Sequence, residues 1–212
     1  MNIIIFGAPA SGKGSLSELI CKHYGLAHIA TGDIYRKAVA ENTELGKLVG
    51  PIMKEGRLVP DDITNDIFKK RLKQKDCKNG MILDGYPRTL VQANVCDKLI
   101  NIDLVVELIV PRHELIARMT TRMVCKECNT IHNRRNEKCD ACRECGGQLY
   151  QREDDNEVAA EKRIATYESQ TAPLKEHYKA KIFKIVVKNL ATPQDTFDTI
   201  KDYIARNIEK AK

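Results

Sequence analysis

The chain has 212 residues, of which 30% are charged and 42% hydrophobic, a balance typical of a globular enzyme with one main domain and room for a smaller insertion. No apolar run approaches the roughly 20 residues that cross a bilayer, so membrane partners are not expected. The formal charge of +6 points to anionic partners, either nucleotides or nucleic acid.

The apolar run Ile3-Ile4-Ile5-Phe6 predicts a buried strand over 2–6. It has no basic start and stops after Phe6, which does not fit a secretory signal, so a cytoplasmic location is expected. Gly7-Ala8-Pro9-Ala10-Ser11-Gly12-Lys13-Gly14-Ser15 follows directly and leads into a helix predicted over 13–24. Gly7 and Gly12 bracket a four-residue gap and Lys13 comes next, which is the spacing of a P-loop. In such a loop successive backbone N–H groups face an anion, the helix dipole favours it, and the lysine adds a full positive charge. Gly14 stands where Ser or Thr is expected, and Ser15 comes one position later.

Further strands are predicted over 27–30, 81–84, 104–110 and 182–187. Helices are predicted over 31–41, 61–73, 89–99, 112–121, 157–179 and 194–209, the last with Thr192 as N-cap and Pro193 at its first position. Alternating strands and helices imply an α/β fold with a parallel sheet, whose ligand lies beyond the carboxyl ends of the strands. Two segments break the alternation: 30–59, with short helical pieces, and the polar, Cys-rich 122–155. Both read as insertions over the cleft. The core is then 1–29, 60–121 and 156–212.

Asp84 ends the run Met81-Ile82-Leu83, where a carboxylate can hold the water shell of Mg2+ beside a P-loop. Arg88 follows over the cleft, and Arg36, Arg118, Arg122, Arg152 and Arg163 add further cations near element ends and insertions. Phosphoryl transfer between two nucleotides gathers many negative charges, so it needs several such cations and exclusion of water.

Five of the eight cysteines, Cys125, Cys128, Cys139, Cys142 and Cys145, fall within 21 positions. Without an export signal this cluster points to metal rather than disulfides. Cys125/Cys128 and Cys142/Cys145 form two Cys-x-x-Cys pairs with thirteen residues between them, the arrangement of a structural Zn2+ site. Cys139/Cys142 is a competing pair, but only Cys142/Cys145 is followed by glycines, Gly146-Gly147. Iron could take the same sulfur ligands. Four thiolates and one Zn2+ would lower the formal charge from +6 to about +4, which weakens the case for nucleic acid.

At this point the whole chain resembles the adenylate kinase family in its long, zinc-binding form. The resemblance rests on Gly7–Ser15, Thr31-Gly32-Asp33, Arg36, Asp84-Gly85-Tyr86-Pro87-Arg88, Gln92 and the cysteine pairs. It continues through Leu149-Tyr150-Gln151-Arg152-Glu153-Asp154-Asp155, Arg163 and Thr171-Ala172-Pro173-Leu174. It implies a five-stranded P-loop domain, an AMP-binding helical insertion at 30–59 and a zinc-binding lid at 122–155. It implies reversible phosphoryl transfer from MgATP to AMP, giving two ADP, by a monomer without nucleic-acid partners.

The resemblance also implies residue roles. Ala10, Ser11, Gly12, Lys13, Gly14 and Ser15 hold the ATP phosphates; Arg118 packs on the ATP base and Arg122 reaches its phosphates. Thr130, Ile131 and Ala191 touch the ATP side. Thr31 and Gln92 contact the AMP base, with Met53 and Arg57-Leu58-Val59 lining that pocket and Gly85-Tyr86-Pro87 beside it. Arg36 and Arg88 hold the AMP phosphate, Arg152 and Arg163 bridge the transferring group, and Asp84 orders Mg2+ through water.

The chain departs from the family pattern at several places. Ala10 replaces a frequent Gly, which is harmless if its φ is negative. Met123 replaces a second arginine, Tyr35 replaces an aliphatic residue near the AMP pocket, and Cys139 is extra. The nearest competing function is a kinase for UMP or CMP, against which Thr31 argues. A zinc-ribbon nucleic-acid-binding protein would explain the cysteines but not the P-loop.

Overall fold

The computed structural model describes residues 1–135, 140–188 and 192–210. In chain order the elements are β1 Asn2–Gly7, α1 Lys13–Tyr24, β2 Ala27–Ala30, α2 Thr31–Ala40, α3 Glu44–Lys54, α4 Asp61–Leu72, β3 Met81–Asp84, α5 Leu90–Leu99, β4 Leu104–Ile109, α6 Arg112–Thr120, β5 Arg122–Cys125, β6 Ile131–Asn133, β7 Leu149–Tyr150, α7 Glu157–Thr166, α8 Leu174–His177, β8 Ile182–Val186 and α9 Pro193–Lys210. Five strands form one parallel sheet in the order β2-β3-β1-β4-β8. This is the expected α/β fold.

The register explains why β1 is apolar throughout Ile3–Phe6. Successive strand residues face opposite sides of the sheet. Ile4 and Phe6 pack with Ile29, Phe68, Leu83, Tyr86, Leu174 and Tyr178 on one face. Ile3 and Ile5 pack with Leu16, Ile20, Leu104, Phe197, Ile200 and Ile204 on the other. Both faces are covered, so neither alternating position can be polar. Because β3 and β4 flank β1, the loops after β1 and β3 emerge side by side at the carboxyl edge of the sheet.

The helix ends follow local chemistry. Thr43 Oγ1, Thr89 Oγ1 and the Asn156 side chain accept from the N–H three residues on and so cap α3, α5 and α7. Thr192 Oγ1 accepts from the Asp195 N–H, and the Thr192 N–H donates back to Asp195 Oδ2, a reciprocal cap that starts α9 as expected.

Two expectations are corrected. The single helix predicted over 157–179 is broken: α7 ends at Thr166, a π-turn spans Tyr167–Thr171, and α8 is one short turn. Pro173 cannot donate and crowds the preceding turn, so the helix cannot continue through it. The Cys-rich segment, for which no strand was predicted, carries the antiparallel sheet β6-β5-β7. Its strands are two to four residues long, too short for an alternating pattern to show. No helix among the described residues is long and apolar enough to cross a membrane.

Candidate active site

The loop between β1 and α1 is built around left-handed glycines. Gly7 and Gly12 have φ of 154° and 97°, and a Cβ on Gly7 would collide with Ser11 Oγ. Lys13 Nζ donates to the carbonyls of Gly7 and Ala8, both at 2.8 Å, so the lysine folds back over the loop. Burial depresses its pKa to about 8, with the charges of Arg88, Arg163 and Arg122 adding to the depression and Asp84 opposing it.

Ala10 is a correction. Its φ is +62°, not negative, so the methyl sits in left-handed backbone that L-residues avoid. The same methyl packs against the apolar cluster of Leu115, Met119, Ala160 and Ile164, and that contact offsets the strain.

Asp84 leaves the end of β3 beside the loop, 3.6 Å from where a Cβ on Gly14 would sit. Its carboxylate faces His28 Nε2 at 3.7 Å. Burial opposes its ionisation, but the His28 contact and the charges of Lys13, His28 and Arg88 hold it below the usual carboxylate range.

A second centre forms around the Gly85 carbonyl. Thr31 Oγ1 and Arg88 Nε both donate to it at 2.9 Å. A Cβ on Gly85, whose φ is 77°, would lie 2.7 Å from Arg88 Nη2, so glycine is required there. Gln92 Oε1 accepts from the Arg88 N–H at 2.8 Å and Gln92 Nε2 donates to Asp61 Oδ1 at 2.7 Å, which fixes the side-chain amide at the cleft wall.

One cleft joins these groups. It is lined by Gly12, Lys13, Gly14, Ser15, Thr31, Arg36, Met53, Arg57, Leu58, Val59, Asp84, Gly85, Pro87, Arg88, Gln92, Arg122, Ile131, Arg152 and Arg163. Other expected residues stand elsewhere. Ser11 is buried behind the loop, and Tyr86 is a core residue stacked on Phe68 with its hydroxyl donating to Asn65 Oδ1. Arg118 pairs with Glu114, which also holds Arg135, away from the cleft lining. Thr130 contacts Cys128 Sγ through its hydroxyl. Ala191 and Cys139 lie outside the described residues.

The cleft is short of negative charge. Burial, helped by the neighbouring charges of Arg36 and Arg122 and opposed by Asp155 and Asp33, lowers the Arg152 pKa to about 10; the Arg152 Nε has no hydrogen-bond partner among the described residues. Burial likewise depresses Arg88 and Arg163. Asp155 is the main counterweight, with both carboxylate oxygens on the Arg122 guanidinium and one 3.5 Å from Arg163. Asp154 holds Arg163 at 2.7 Å. Cations gathered and buried in this way are a receptor for a polyanion.

Sequence reasoning gave no role to Glu18, His28, Asn129 or Tyr167, although Glu18, Asn129 and Tyr167 line the cleft and His28 faces Asp84. Only their places in space identify them.

Cys125, Cys128, Cys142 and Cys145 form one cluster, their sulfurs all within 4.8 Å of one another. Closest approaches are 3.5 Å for Cys125–Cys145 and Cys128–Cys142, and 3.3 Å for Cys128–Cys145. Tetrahedral thiolates about 2.3 Å from a zinc ion stand about 3.8 Å apart, so the four sulfurs fit a four-thiolate metal site. Cys142 and Cys145 both belong to this cluster, and Cys139 of the competing pair lies outside the described residues. His132, which the sequence did not single out, is buried with Nε2 3.3 Å from Cys142 Sγ.

The family model for adenylate kinase matches residues 5–183. This chain belongs to the adenylate kinase family. It is 42% identical over 212 residues to an adenylate kinase of Caldicellulosiruptor bescii, covering 96% of this chain and 97% of the relative. It is 46% identical over 189 residues to the adenylate kinase of Caldicellulosiruptor saccharolyticus, covering 85% and 88%. The adenylate kinase of Archaeoglobus fulgidus is 41% identical over 192 residues, covering 85% and 87%. The chain is therefore a phosphotransferase of the adenylate kinase type, and the P-loop, Asp84 and the arginine cluster fall in one cleft as such an enzyme requires.

Proposed function

We propose that this cleft carries out reversible phosphoryl transfer from MgATP to AMP with a defined division of labour. Gly12–Ser15 and Lys13 take the donor phosphates through backbone N–H groups and the ammonium. Thr31, Gln92, Met53 and the Arg57–Val59 segment form the acceptor base pocket, and Arg36 and Arg88 take the acceptor phosphate. Arg122, Arg152 and Arg163 face the group in flight. The acceptor is already an anion, so no general base is needed, and the work is positioning and charge compensation.

The observation that carries this reading is the half-buried cluster of cations Lys13, Arg88, Arg122, Arg152 and Arg163, short of counter-charge, around a single cleft. Two nucleotides arriving end to end supply the missing negative charge. Asn129, Ile131 and Arg152, on the Cys-rich side, line the same cleft and would keep water from the transferring group.

Asp84, ionised and beside Gly14, would hold Mg2+ through its water shell; the ion supplies neutralisation of phosphate charge. The four cysteines would hold Zn2+ as a structural ion, since four thiolates leave no open position. The metal would supply folding energy to a small sheet with little apolar surface of its own. In this reading 30–59 is the AMP-binding insertion and 122–155 the lid. The enzyme is read as a cytoplasmic monomer whose partners are ATP, AMP and ADP.

A coupled assay of ADP formation with AMP, UMP, CMP and GMP as acceptors, alongside elemental analysis for zinc, tests the reading. AMP should be much the best acceptor and one zinc should be found per chain. A preference for UMP or CMP would overturn the acceptor assignment.

A further inference from the structure

The acceptor pocket has two walls from different parts of the chain. One is α2, which carries Thr31 and Arg36; the other is the Arg57–Val59 segment leading into α4. Tyr35 stands on α2, four residues after Thr31 and so on the same helical face. Its ring is 6% exposed and packs with Val49 and Val59, and its hydroxyl donates to Thr64 Oγ1 at 2.8 Å. Thr64 is 4% exposed and turns its own hydroxyl to the Pro60 carbonyl at 3.0 Å, with the Val59 carbonyl at 3.4 Å. Tyr35 and Thr64 both line the cleft. A continuous polar chain therefore runs from Tyr35 on α2 through Thr64 on α4 to the Pro60 and Val59 carbonyls at the end of the opposite wall.

We propose that Tyr35, through Thr64, sets the width of the acceptor base pocket and is a positioning and specificity residue for the monophosphate acceptor. The inference rests on the acceptor-site reading given above. The physical argument is one of distance. Apolar packing alone lets two walls slide, whereas a hydrogen bond between buried groups has one short length and a strong angular preference. The hydroxyl pair is also nearly sealed from water, so removing the Thr64 hydroxyl leaves the Tyr35 O–H unpaired rather than rehydrated, and removing the phenol takes from Thr64 the bond it accepts while its own O–H stays on Pro60. A wall held at one distance admits a flat purine between Thr31 and the Arg57–Val59 backbone and packs less well on a smaller base.

The test uses the full-length enzyme and four variants: Tyr35→Phe, Thr64→Val, the double variant and Thr64→Ser. Losing one buried hydrogen bond should raise KM for AMP by about three- to tenfold in each of the first two. KM for ATP should stay within a factor of about two, and the preference for AMP over CMP, taken as the ratio of kcat/KM, should fall. The double variant should be no worse than either single change, because both remove the same bond. Thr64→Ser keeps the hydroxyl and should restore the original KM. If Tyr35→Phe lowers Tm while leaving KM for AMP and the AMP/CMP ratio unchanged, the phenol is only a structural brace and the proposal fails. Arg88→Met serves as the control for the underlying reading. If it too leaves KM for AMP unchanged, AMP does not sit in this pocket, and the proposal falls with that reading rather than by itself.

Discussion

Replacing Asp155 by Asn isolates what orders the arginine cluster. Asp155 is fully buried, and its two oxygens take Arg122 Nε at 2.7 Å and Arg122 Nη2, with Arg163 Nη1 3.5 Å away. Arg122 opens β5 in the Cys-rich sheet and Arg163 lies on α7 of the core, so one carboxylate ties the two parts. Asparagine keeps the shape but presents an N–H2 to a guanidinium N–H and removes a negative charge that faces both arginines at once. Breaking a buried pair from one side costs about 3–5 kcal/mol, and the oxygen that Asn retains places this case near the lower end, about 3 kcal/mol. At about 2–4 °C per kcal/mol for a chain of this size, Tm should fall by about 6–12 °C. The released arginines should also lose their aim at the transferring group, and kcat should drop by about a hundredfold. Differential scanning calorimetry and the coupled kinase assay read the two effects. Asp154→Asn is the comparison: Asp154 is partly exposed and, among the described residues, pairs with Arg163 alone, so about 1 kcal/mol is expected. A Tm within about 2 °C of the parent with unchanged kcat, or a larger loss from Asp154→Asn, would refute the reasoning.

Three further outcomes follow from the same geometry. Lys13 has its pKa depressed by burial from an ordinary 10.5 to about 8, so the unfolded chain binds more protons between those values and the ligand-free enzyme should gain stability as pH rises through that window. A nucleotide phosphate would restore the proton: calorimetry in buffers of different ionisation heat should show uptake of about half a proton at pH 8 and about a tenth at pH 7, and no uptake at pH 8 would contradict it. Gly46→Ala would drive a Cβ into the Ala38 carbonyl oxygen, which is backbone and cannot swing away, so α2 and α3 must separate. A stability loss of about 1–3 kcal/mol with a raised KM for AMP and unchanged KM for ATP is expected from denaturant melts and kinetics. Cys145→Ala should cost bound zinc and heat stability far more than turnover at low temperature; lost turnover with zinc still present would overturn the structural role.

The parts legible in the sequence are those whose chemistry is local. Gly12 must be glycine because its φ is 97°, Lys13 must follow it to fold back on Gly7 and Ala8, and Ile3–Phe6 of β1 must be apolar because both faces are covered. Each demand falls within a few residues, so spacing reveals it. The Cys-x-x-Cys pairs are readable for the same reason, since each is one turn of chain. Ala10 marks the edge of that legibility: its identity was plain, but the sign of its φ depends on the cluster of Leu115, Met119, Ala160 and Ile164 far along the chain.

What the sequence did not show is where compensation comes from. The arginines of the cleft could be named, but any of them alone reads as a solvated surface charge, and only their burial together makes them a site. The same holds for the groups that restrain them. Asp61 fixes Gln92 across 31 positions, Asp155 fixes Arg122 across 33, and Thr64 meets Tyr35 across 29. No periodicity or motif window spans such distances. The cleft therefore divides into two classes of residue. Of those proposed to meet phosphate, Gly12–Ser15 carry a local backbone signature and were found directly, and the arginines were named through resemblance. Those that hold the first class in place carry none, and the burial of Asp155, Tyr35 and Thr64 is the physical reason to expect that substituting them will alter substrate handling without touching a substrate atom.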